Sequence, residues 1–144
     1  MGMVDVTEKP IIRREAEAVG RILVSPDTTR KILNGEIKKG DVPLVAEIAA
    51  MNAAKQTHLL IPHCHQILLD TVNLKFDVLD DSVRVSCFVR AQARTGVEME
   101  AIVGVSAALN TIWDMVKYLE KDEKGQYPHT EIADIRVVRK KKSE

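Results

Sequence analysis

The sequence has few cysteines, few aromatic residues and no excess of either charge. Its two cysteines cannot form a disulfide framework, and they suit a reducing, cytoplasmic environment. Aromatic residues make up 3% of the chain, which argues against an RNA-binding surface, because such surfaces stack bases on aromatic side chains. Lys plus Arg and Asp plus Glu number 21 each, so the net charge indicates neither a nucleic-acid nor a membrane partner.

The sequence also shows no pattern typical of a signal peptide or a membrane-spanning segment. The first ten residues carry charges but no apolar run of the kind found in signal peptides. No stretch is long and uncharged enough to span a bilayer. The chain has 144 residues, of which 45% are apolar. We therefore expect a single domain over residues 1–144, large enough to bury one core.

The order of apolar and polar residues predicts alternating strands and helices. The predicted elements are an extended arm (1–12), a strand (14–24), a short helix capped by Ser25 and closed at Gly35, a helix (43–56), a hairpin (72–78 and 83–89), a long helix from near Gly96 to near Lys121, a short strand (132–137) and a solvated, mobile basic tail (139–144). This order favours an α+β, ferredoxin-like fold, an antiparallel sheet with helices packed on one face.

The second face of this sheet would carry a mixed set of side chains. Along the second hairpin strand it presents Arg84, Ser86, Phe88 and Arg90. A face that combines an aromatic ring with cations is too mixed to be inert, so we expect oligomerisation through the sheet.

The long helix carries an acid and an amine side by side. Asp114 and Lys117 are three residues apart, which makes them neighbours on a helix surface. Such a pair is either an ordinary solvated ion pair or, beside Trp113, a proton-transfer pair. Spacing alone leaves both interpretations open.

Two further acids lie at the start of the same helix. The apolar residues of this helix share one stripe, formed by Ile102, Val105, Leu109, Ile112 and Val116. Glu98 would project onto this stripe if the helix had already begun there, which is costly for a bare carboxylate. Three interpretations remain open: Glu98 and Glu100 lie on extended backbone and face the same way, Glu98 has a buried partner, or both belong to an acidic first turn favoured by the helix dipole.

The stretch IPHCHQ (61–66) places two histidines around a cysteine. On extended backbone His63 and His65 would share one face, with Cys64 opposite. A zinc site needs three or four ligands and the chain offers no second ligand set, so we expect no metal here. The alternatives are a core histidine bonded to backbone carbonyls and a histidine that lines a pocket, where it carries a proton or donates a hydrogen bond to a phosphate.

The segment KKGDVP (38–43) places two lysines in a glycine turn directly before a helix. Cations beside a helix N-terminus can hold an anion such as phosphate. A solvent-exposed basic turn is the alternative interpretation.

Five motifs together resemble the cyclic pyranopterin monophosphate synthase family, molybdenum cofactor biosynthesis protein C. They are MVDV (3–6), KGDV (39–42), AAK with LIPHCH (within 53–65), TGVEMEA (95–101) and TIWDMVK (111–117), in the family's order. The resemblance implies a ferredoxin-like subunit in a homohexamer built as a trimer of dimers. It also implies a reaction: a cyclised dihydroguanosine triphosphate made from GTP is rearranged to cyclic pyranopterin monophosphate, and pyrophosphate is released.

The resemblance also implies roles for individual residues. Asp114 matches the catalytic aspartate, Lys117 its lysine partner and Lys39 a further active-site lysine. The positions that match substrate-binding residues are His63, Cys64, His65, Glu98, Met99, Glu100 and, more weakly, Arg14. No cofactor is required, and Mg²⁺ would enter only as the companion of the triphosphate.

Three features depart from the family pattern. Gln66 stands where proline is frequent, and His63 replaces a more usual apolar residue. The Gly/Ser/Lys-rich C-terminal segment of many members is replaced by HTEIADIRVVRKKK. The C-terminal group that reaches the substrate is therefore left open.

One geometric inference concerns the length of the long helix. Glu100 and Asp114 are fourteen residues apart, which on one continuous helix separates them by about 21 Å along its axis. One nucleotide could hardly touch both within a single subunit. We therefore expect a composite pocket to which two chains contribute different motifs.

Overall fold

Four strands and four helices follow one another in the computed structural model, which describes residues 1–144. Their bounds are β1 (Ile12–Leu23), α1 (Pro26–Leu33), α2 (Val42–Lys55), α3 (Thr57–Leu60), β2 (Thr71–Val78), β3 (Ser82–Ala93), α4 (Glu98–Glu120) and β4 (Glu131–Ser143). Residues 1–11 precede β1 and contain neither helix nor strand. None of the helices combines the length and apolarity that crossing a membrane requires.

The strands form one antiparallel sheet in the order β2-β3-β1-β4. In the hairpin, Leu74 pairs with Cys87 and Phe76 with Val85, so the two alternating apolar rows lie on the same face. The predicted hairpin, the α+β class and the antiparallel sheet are confirmed.

Helix α4 lies across β1 and β3 and forms the centre of the core. Its residues Val105, Leu109, Ile112 and Val116 are fully buried, as the predicted apolar stripe requires. Helix α2 packs against α4 with its alanine side, where Ala46 and Ala50 are fully buried. The small residues allow the helices to approach closely.

The other face of the sheet carries the predicted mixture of ring and charge. The guanidinium groups of Arg90 and Arg139 lie 5.4 and 5.6 Å from the ring centroid of Phe88. Glu15 accepts a hydrogen bond from Arg90 on the same face. Charged groups here are thus paired across strands rather than dispersed in solvent.

Helix α1 begins as predicted, with Ser25 as its N-cap and Pro26 in its first turn. The side chain of Ser25 accepts a hydrogen bond from the Thr28 backbone N–H. A buried carboxylate, Glu120, accepts hydrogen bonds from the Ser25 N–H and from the hydroxyls of Thr28 and Thr130. This network fastens the end of α4 to the start of α1.

The prediction of a short last strand followed by a mobile tail at 139–144 is wrong. Strand β4 continues to Ser143 and pairs with β1 over almost its whole length. The reason is charge complementarity across the strands, because Lys141 lies opposite Glu15 and Arg139 opposite Glu17. Lysines and arginines are also the side chains that protect an exposed sheet edge.

Candidate active site

The first cluster of candidate residues lies on the C-terminal half of α4. Lys117 Nζ is 3.0 Å from Asp114 Oδ1, one helical turn away. Lys39 Nζ is 3.1 Å from Asp114 Oδ2 and also donates a hydrogen bond to the Asp114 carbonyl oxygen at 2.9 Å. One carboxylate therefore holds two ammonium groups, one local and one from a segment 75 residues away in the chain.

The turn before α2 brings Lys39 to this position. Gly40 has a φ of +115°, a conformation that favours glycine, and it turns the chain between Lys39 and α2. The Lys38 N–H donates a hydrogen bond to the hydroxyl of Tyr118 on α4. Asp41 caps α2 by accepting from the Leu44 N–H, so a side chain of the protein already takes up part of this helix terminus. The basic turn therefore bonds to residues of α4, and it is Asp41 that caps the N-terminus of α2.

The ion pairs fix the protonation states in this cluster. Hydrogen bonds from Lys117 and Lys39 lower the pKa of Asp114, and the bond to Asp114 raises the pKa of Lys117. At neutral pH Asp114 is thus a carboxylate and Lys117 an ammonium group. All three side chains are about half exposed and can be reached by a ligand.

The second cluster lies at the N-terminal end of α4 and surrounds a cleft of about 380 Å³. Three segments line it: the α4 start with Glu98, Met99 and Glu100, the loop with His63, Cys64 and His65, and the N-terminal arm with Val4, Val6 and Lys9. Six of the seven residues predicted to bind substrate therefore lie around one cleft. The two motifs come from positions more than thirty residues apart in the sequence.

Burial changes the acid–base properties of this cleft. Glu100 is only 4% exposed, and desolvation raises its pKa, with a further rise from neighbouring Glu98. The pKa of the Cys64 thiol is raised as well, first by burial and then by the two carboxylates. Cys64 therefore stays a neutral thiol, which is a poor nucleophile and a poor metal ligand.

Helix α4 begins at Glu98, so the alternative that places Glu98 and Glu100 on extended backbone is wrong. Both acids belong to the first turn, and Glu98 also has a partner, since Lys140 Nζ lies 3.3 Å from its Oε1. This oxygen is buried and accepts no hydrogen bond with good geometry. The ammonium group of Lys140 thus compensates the charge of the Glu98 carboxylate, but it does not donate a well-aligned hydrogen bond to Oε1.

Lys140 is a candidate that sequence reasoning missed as an individual residue. It reaches Glu98, which lines the cleft, because β4 continues through the basic segment. The acids Glu15 and Glu17 on β1 could have indicated that β4 extends this far, because they pair with basic residues at the end of β4.

The loop that contains the histidines differs from the expected extended conformation. Pro62 and His63 form a turn, so the side chains do not alternate in the way of a strand. Cys64 consequently lines the same cleft as both histidines instead of pointing away from them. His65 Nε2 donates a hydrogen bond of 2.7 Å to the carbonyl oxygen of Val4 in the arm.

Arg14 is placed differently from the other predicted substrate-binding residues. It is 6% exposed and donates hydrogen bonds to the carbonyl oxygens of Ala93 and Arg94. It does not line the cleft. In this geometry it holds the segment that leads into Thr95 and Gly96, and its role toward substrate stays a prediction.

The two clusters stand at opposite ends of one continuous helix. With 1.5 Å of rise per residue, Glu100 and Asp114 are about 21 Å apart along the axis of α4. Asp114, Lys39 and Lys117 do not line the cleft around Glu100. No group of three or more His, Cys, Asp or Glu side chains is arranged to hold a metal ion.

Comparison with known proteins shows the family to which this chain belongs. Residues 3–143 match the model of the MoaC family. A probable cyclic pyranopterin monophosphate synthase of Sulfolobus acidocaldarius is 53% identical over 98% of this chain and 99% of its own length. One of Thermococcus kodakarensis is 54% identical over 99% of this chain and 91% of its own. A relative from Methanothermobacter thermautotrophicus, 51% identical over 99% of this chain and 89% of its own length, is named a probable accessory protein of that synthase.

Proposed function

Because this chain belongs to the MoaC family, we propose that it is a cyclic pyranopterin monophosphate synthase of molybdenum cofactor biosynthesis. Its substrate would be the cyclised dihydroguanosine triphosphate derived from GTP, and its products cyclic pyranopterin monophosphate and pyrophosphate. The observation that carries this proposal is the Asp114 carboxylate held between two ammonium groups, since proton transfer and phosphate displacement both need charged groups in fixed positions.

The reaction requires opening of a purine ring by water, closure of the pterin and formation of a cyclic phosphate. In the proposed mechanism Asp114 is the general acid/base, and Lys117 keeps it ionised or donates a proton. Lys39 neutralises charge that develops on the phosphates as pyrophosphate leaves. The mechanism needs no cofactor, and Mg²⁺ would enter with the triphosphate.

The cleft at the start of α4 would bind the base and sugar. Glu98 and Glu100 offer hydrogen-bonding groups from the start of α4, and His65 offers one from the loop. Burial raises the pKa of Glu100 and so favours its protonated form, which can donate a hydrogen bond to a purine nitrogen or carbonyl. Lys140 adds a cation beside Glu98, where a phosphate could be neutralised.

We infer that each working pocket combines the Glu100 cleft of one protomer with the Asp114 cluster of a neighbour. The continuous course of α4 supports this, because it keeps the two clusters apart within a protomer. A homohexamer built as a trimer of dimers would supply such neighbours. The exposed side chains of Leu44, Val45 and Ile48 on α2 offer an apolar surface for assembly.

We further infer that the subunit is ferredoxin-like. The chain order of strand, helices, two strands, helix and strand supports this, as does the antiparallel sheet order β2-β3-β1-β4.

The proposed function can be tested by supplying the purified protein with the cyclised GTP intermediate. We expect pyrophosphate release and pterin formation, and a loss of kcat of about 10²–10⁴-fold in Asp114→Asn, the usual effect of losing a general acid/base. Absence of turnover by the unmodified protein would refute the assignment.

A matched control is available on α1. Asp27 is 56% exposed, close to the 58% of Asp114, and it also has two cationic partners, Arg30 and Lys31. Asp27→Asn should leave turnover unchanged. An equal loss in both variants would show that the effect is not specific to the Asp114 cluster.

A further inference from the structure

The turn that precedes α2 carries Lys39 and is fixed at both of its ends. Ile37 is 6% exposed and belongs to the core, and its carbonyl oxygen accepts a hydrogen bond from the Gly40 N–H. Asp41 caps α2. Lys38, Lys39 and Gly40 lie between these points and are exposed. The direction in which Lys39 points is therefore set by the contacts that the exposed residues make.

Two contacts tie this exposed part of the turn to α4. Lys39 Nζ donates hydrogen bonds to Asp114. One residue earlier, the Lys38 N–H donates a hydrogen bond of 3.0 Å to the Tyr118 hydroxyl, and the Lys38 ammonium group lies 5.2 Å from the centroid of the Tyr118 ring. Asp114 and Tyr118 are four residues apart, so they are neighbours on one face of α4. Two successive residues of the turn are thus attached to the same face of the helix.

Tyr118 can hold the turn because its ring is itself held by the protein. The ring is partly buried and packs against the hydrophobic core, while its hydroxyl reaches the turn. A tyrosine can do both at once, since the ring is apolar and the hydroxyl is a hydrogen-bonding group. The position of the Lys38 backbone is therefore linked to the core through one side chain.

The two contacts respond differently to the proposed reaction. In that mechanism Lys39 neutralises the phosphates and Asp114 gains or loses a proton, and either event weakens the ion pair between them. The hydrogen bond between the Lys38 N–H and Tyr118 involves neither of these groups and persists. Without it, the turn would be free to move at the moment when Lys39 leaves Asp114, and a small displacement of a reacting group is costly in rate.

We propose that Tyr118 is a positioning residue for Lys39. Its hydroxyl holds the backbone of the turn, so that Lys39 Nζ stays within reach of Asp114 and of the phosphates throughout the reaction. This inference rests on the proposed function, from which the roles of Lys39 and Asp114 are taken. Tyr118 acts through Lys39 and contacts no reacting atom.

The variant Tyr118→Phe tests the hydroxyl alone, since it keeps the ring, its packing and its contact with the Lys38 ammonium group. With the cyclised GTP intermediate as substrate, we expect kcat to fall about fivefold to tenfold, the effect of one neutral hydrogen bond. KM should change by less than about twofold, because Lys39 acts on charge that develops as pyrophosphate leaves. An unchanged kcat would overturn the proposal.

The matched control removes a hydroxyl that holds a helix to a turn elsewhere in the protein. Thr29 on α1 is 3% exposed, and its hydroxyl donates a hydrogen bond of 2.8 Å to the Asp80 carbonyl oxygen between β2 and β3. Thr29→Val should lower Tm at least as much as Tyr118→Phe, because its hydroxyl is buried, and should leave kcat unchanged. An equal loss of kcat in both variants would overturn the proposal, because destabilisation alone would then explain it.

A second readout does not depend on turnover. Hydrogen bonds from Lys117 and Lys39 lower the pKa of Asp114. Tyr118→Phe should raise the pKa of Asp114 toward its ordinary value, because Lys39 then spends less time beside the carboxylate. In a Lys39→Gln background the same change should have no effect on this pKa. Carbon-13 NMR of the aspartate carboxyl groups measures the titration, and Asp114→Asn identifies the signal.

The two readouts separate this inference from the proposed function. An unchanged pKa of Asp114 in Tyr118→Phe, or an equal rise with and without Lys39, would overturn the positioning role of Tyr118, whether or not the intermediate is turned over. Absent turnover by the unmodified protein would overturn the proposed function, and the pKa of Asp114 would still decide whether Tyr118 positions Lys39.

Discussion

At the scale of single residues, α4 holds two carboxyl groups whose pKa values are shifted in opposite directions. Burial raises the pKa of Glu100, while hydrogen bonds from Lys117 and Lys39 lower the pKa of Asp114. The difference arises from surroundings alone, since one side chain is 4% exposed and the other stands at the surface between two cations. Two acids with separated pKa values suit a reaction that needs both a proton donor and a proton acceptor.

The raised pKa of Glu100 predicts how stability depends on pH. A carboxyl whose pKa is raised in the folded state favours folding below its ordinary value of 4.5, and this contribution is lost as the pH rises through the folded-state pKa. Glu100→Gln stays neutral throughout. We therefore expect it to raise Tm at pH 7, on the order of 2–4 °C, the shift that about 1 kcal/mol produces in a chain of this size.

Thermal unfolding followed by circular dichroism at pH 4 and pH 7 measures this effect. The gain in Glu100→Gln should shrink at pH 4, where Glu100 is largely protonated in both states. Glu123→Gln, in the exposed loop after α4, should change Tm little at either pH. A Glu100→Gln protein with the same Tm difference at both pH values would contradict the account.

At the scale of elements, the close packing of α4 against β1 and β3 positions the helix that carries both Glu100 and Asp114. A Cβ atom at Gly104 would lie 2.7 Å from the sulfur of Cys87 on β3. A Cβ atom at Gly20 would lie 2.8 Å from Val105 on α4. The helix therefore packs against the sheet at positions where one side has no side chain.

Gly104→Ala tests this packing. Alanine favours a helix intrinsically, but the clash with Cys87 should give a net loss of about 1–3 kcal/mol in the free energy of unfolding. Combining it with Cys87→Ala should cost less than the sum of the two single changes, because the smaller side chain removes the clash. Urea denaturation of the three variants supplies the comparison.

The control for Gly104→Ala is Ser106→Ala on the same helix, where no side-chain hydrogen bond is lost. It should change stability by no more than about 0.5 kcal/mol. Strict additivity of Gly104→Ala and Cys87→Ala would show that the two positions do not compete for space.

Elements whose residues alternate or recur locally could be predicted from the sequence. The hairpin shows a period of two and α4 a period of 3.6, and both were predicted within a few residues. The second half of β4 could not be, because Arg139 to Ser143 have no apolar alternation and their pairing depends on acids of β1 far away in the chain.

The same distinction applies to the candidate site. Asp114 and Lys117 are one turn apart, so their contact follows from helix geometry. Lys39 and Lys140 join their carboxylates only through tertiary structure, and spacing in the sequence does not reveal such contacts. The turn at Pro62 and His63 explains why the predicted alternation around Cys64 was wrong.

At the scale of the whole molecule, α4 keeps the two clusters apart, and in the proposed assembly each of them is a half-site. The cleft around Glu100 offers donors and acceptors for a base, and the Asp114 cluster offers charge for proton transfer and phosphate displacement. Neither half-site alone contains all the groups that the proposed reaction needs. The central claim is therefore that a neighbouring protomer joins them.

Hybrid oligomers test this claim most directly. Glu100→Ala and Asp114→Ala, each inactive alone, are unfolded together, refolded as a mixture and assayed for pyrophosphate release. In a symmetric dimer, random mixing makes half of the dimers hybrids with one intact pocket of two, so we expect about one quarter of the unmodified activity. The control mixes Asp114→Ala with Lys117→Ala, which damage the same half-site and should recover nothing.

Formation of hybrids is verified by mass spectrometry with one variant isotopically labelled. The account predicts recovery of activity in the Glu100→Ala and Asp114→Ala mixture alone. Activity no higher than that of the separate variants, in a sample shown to contain hybrids, would contradict a pocket shared between protomers.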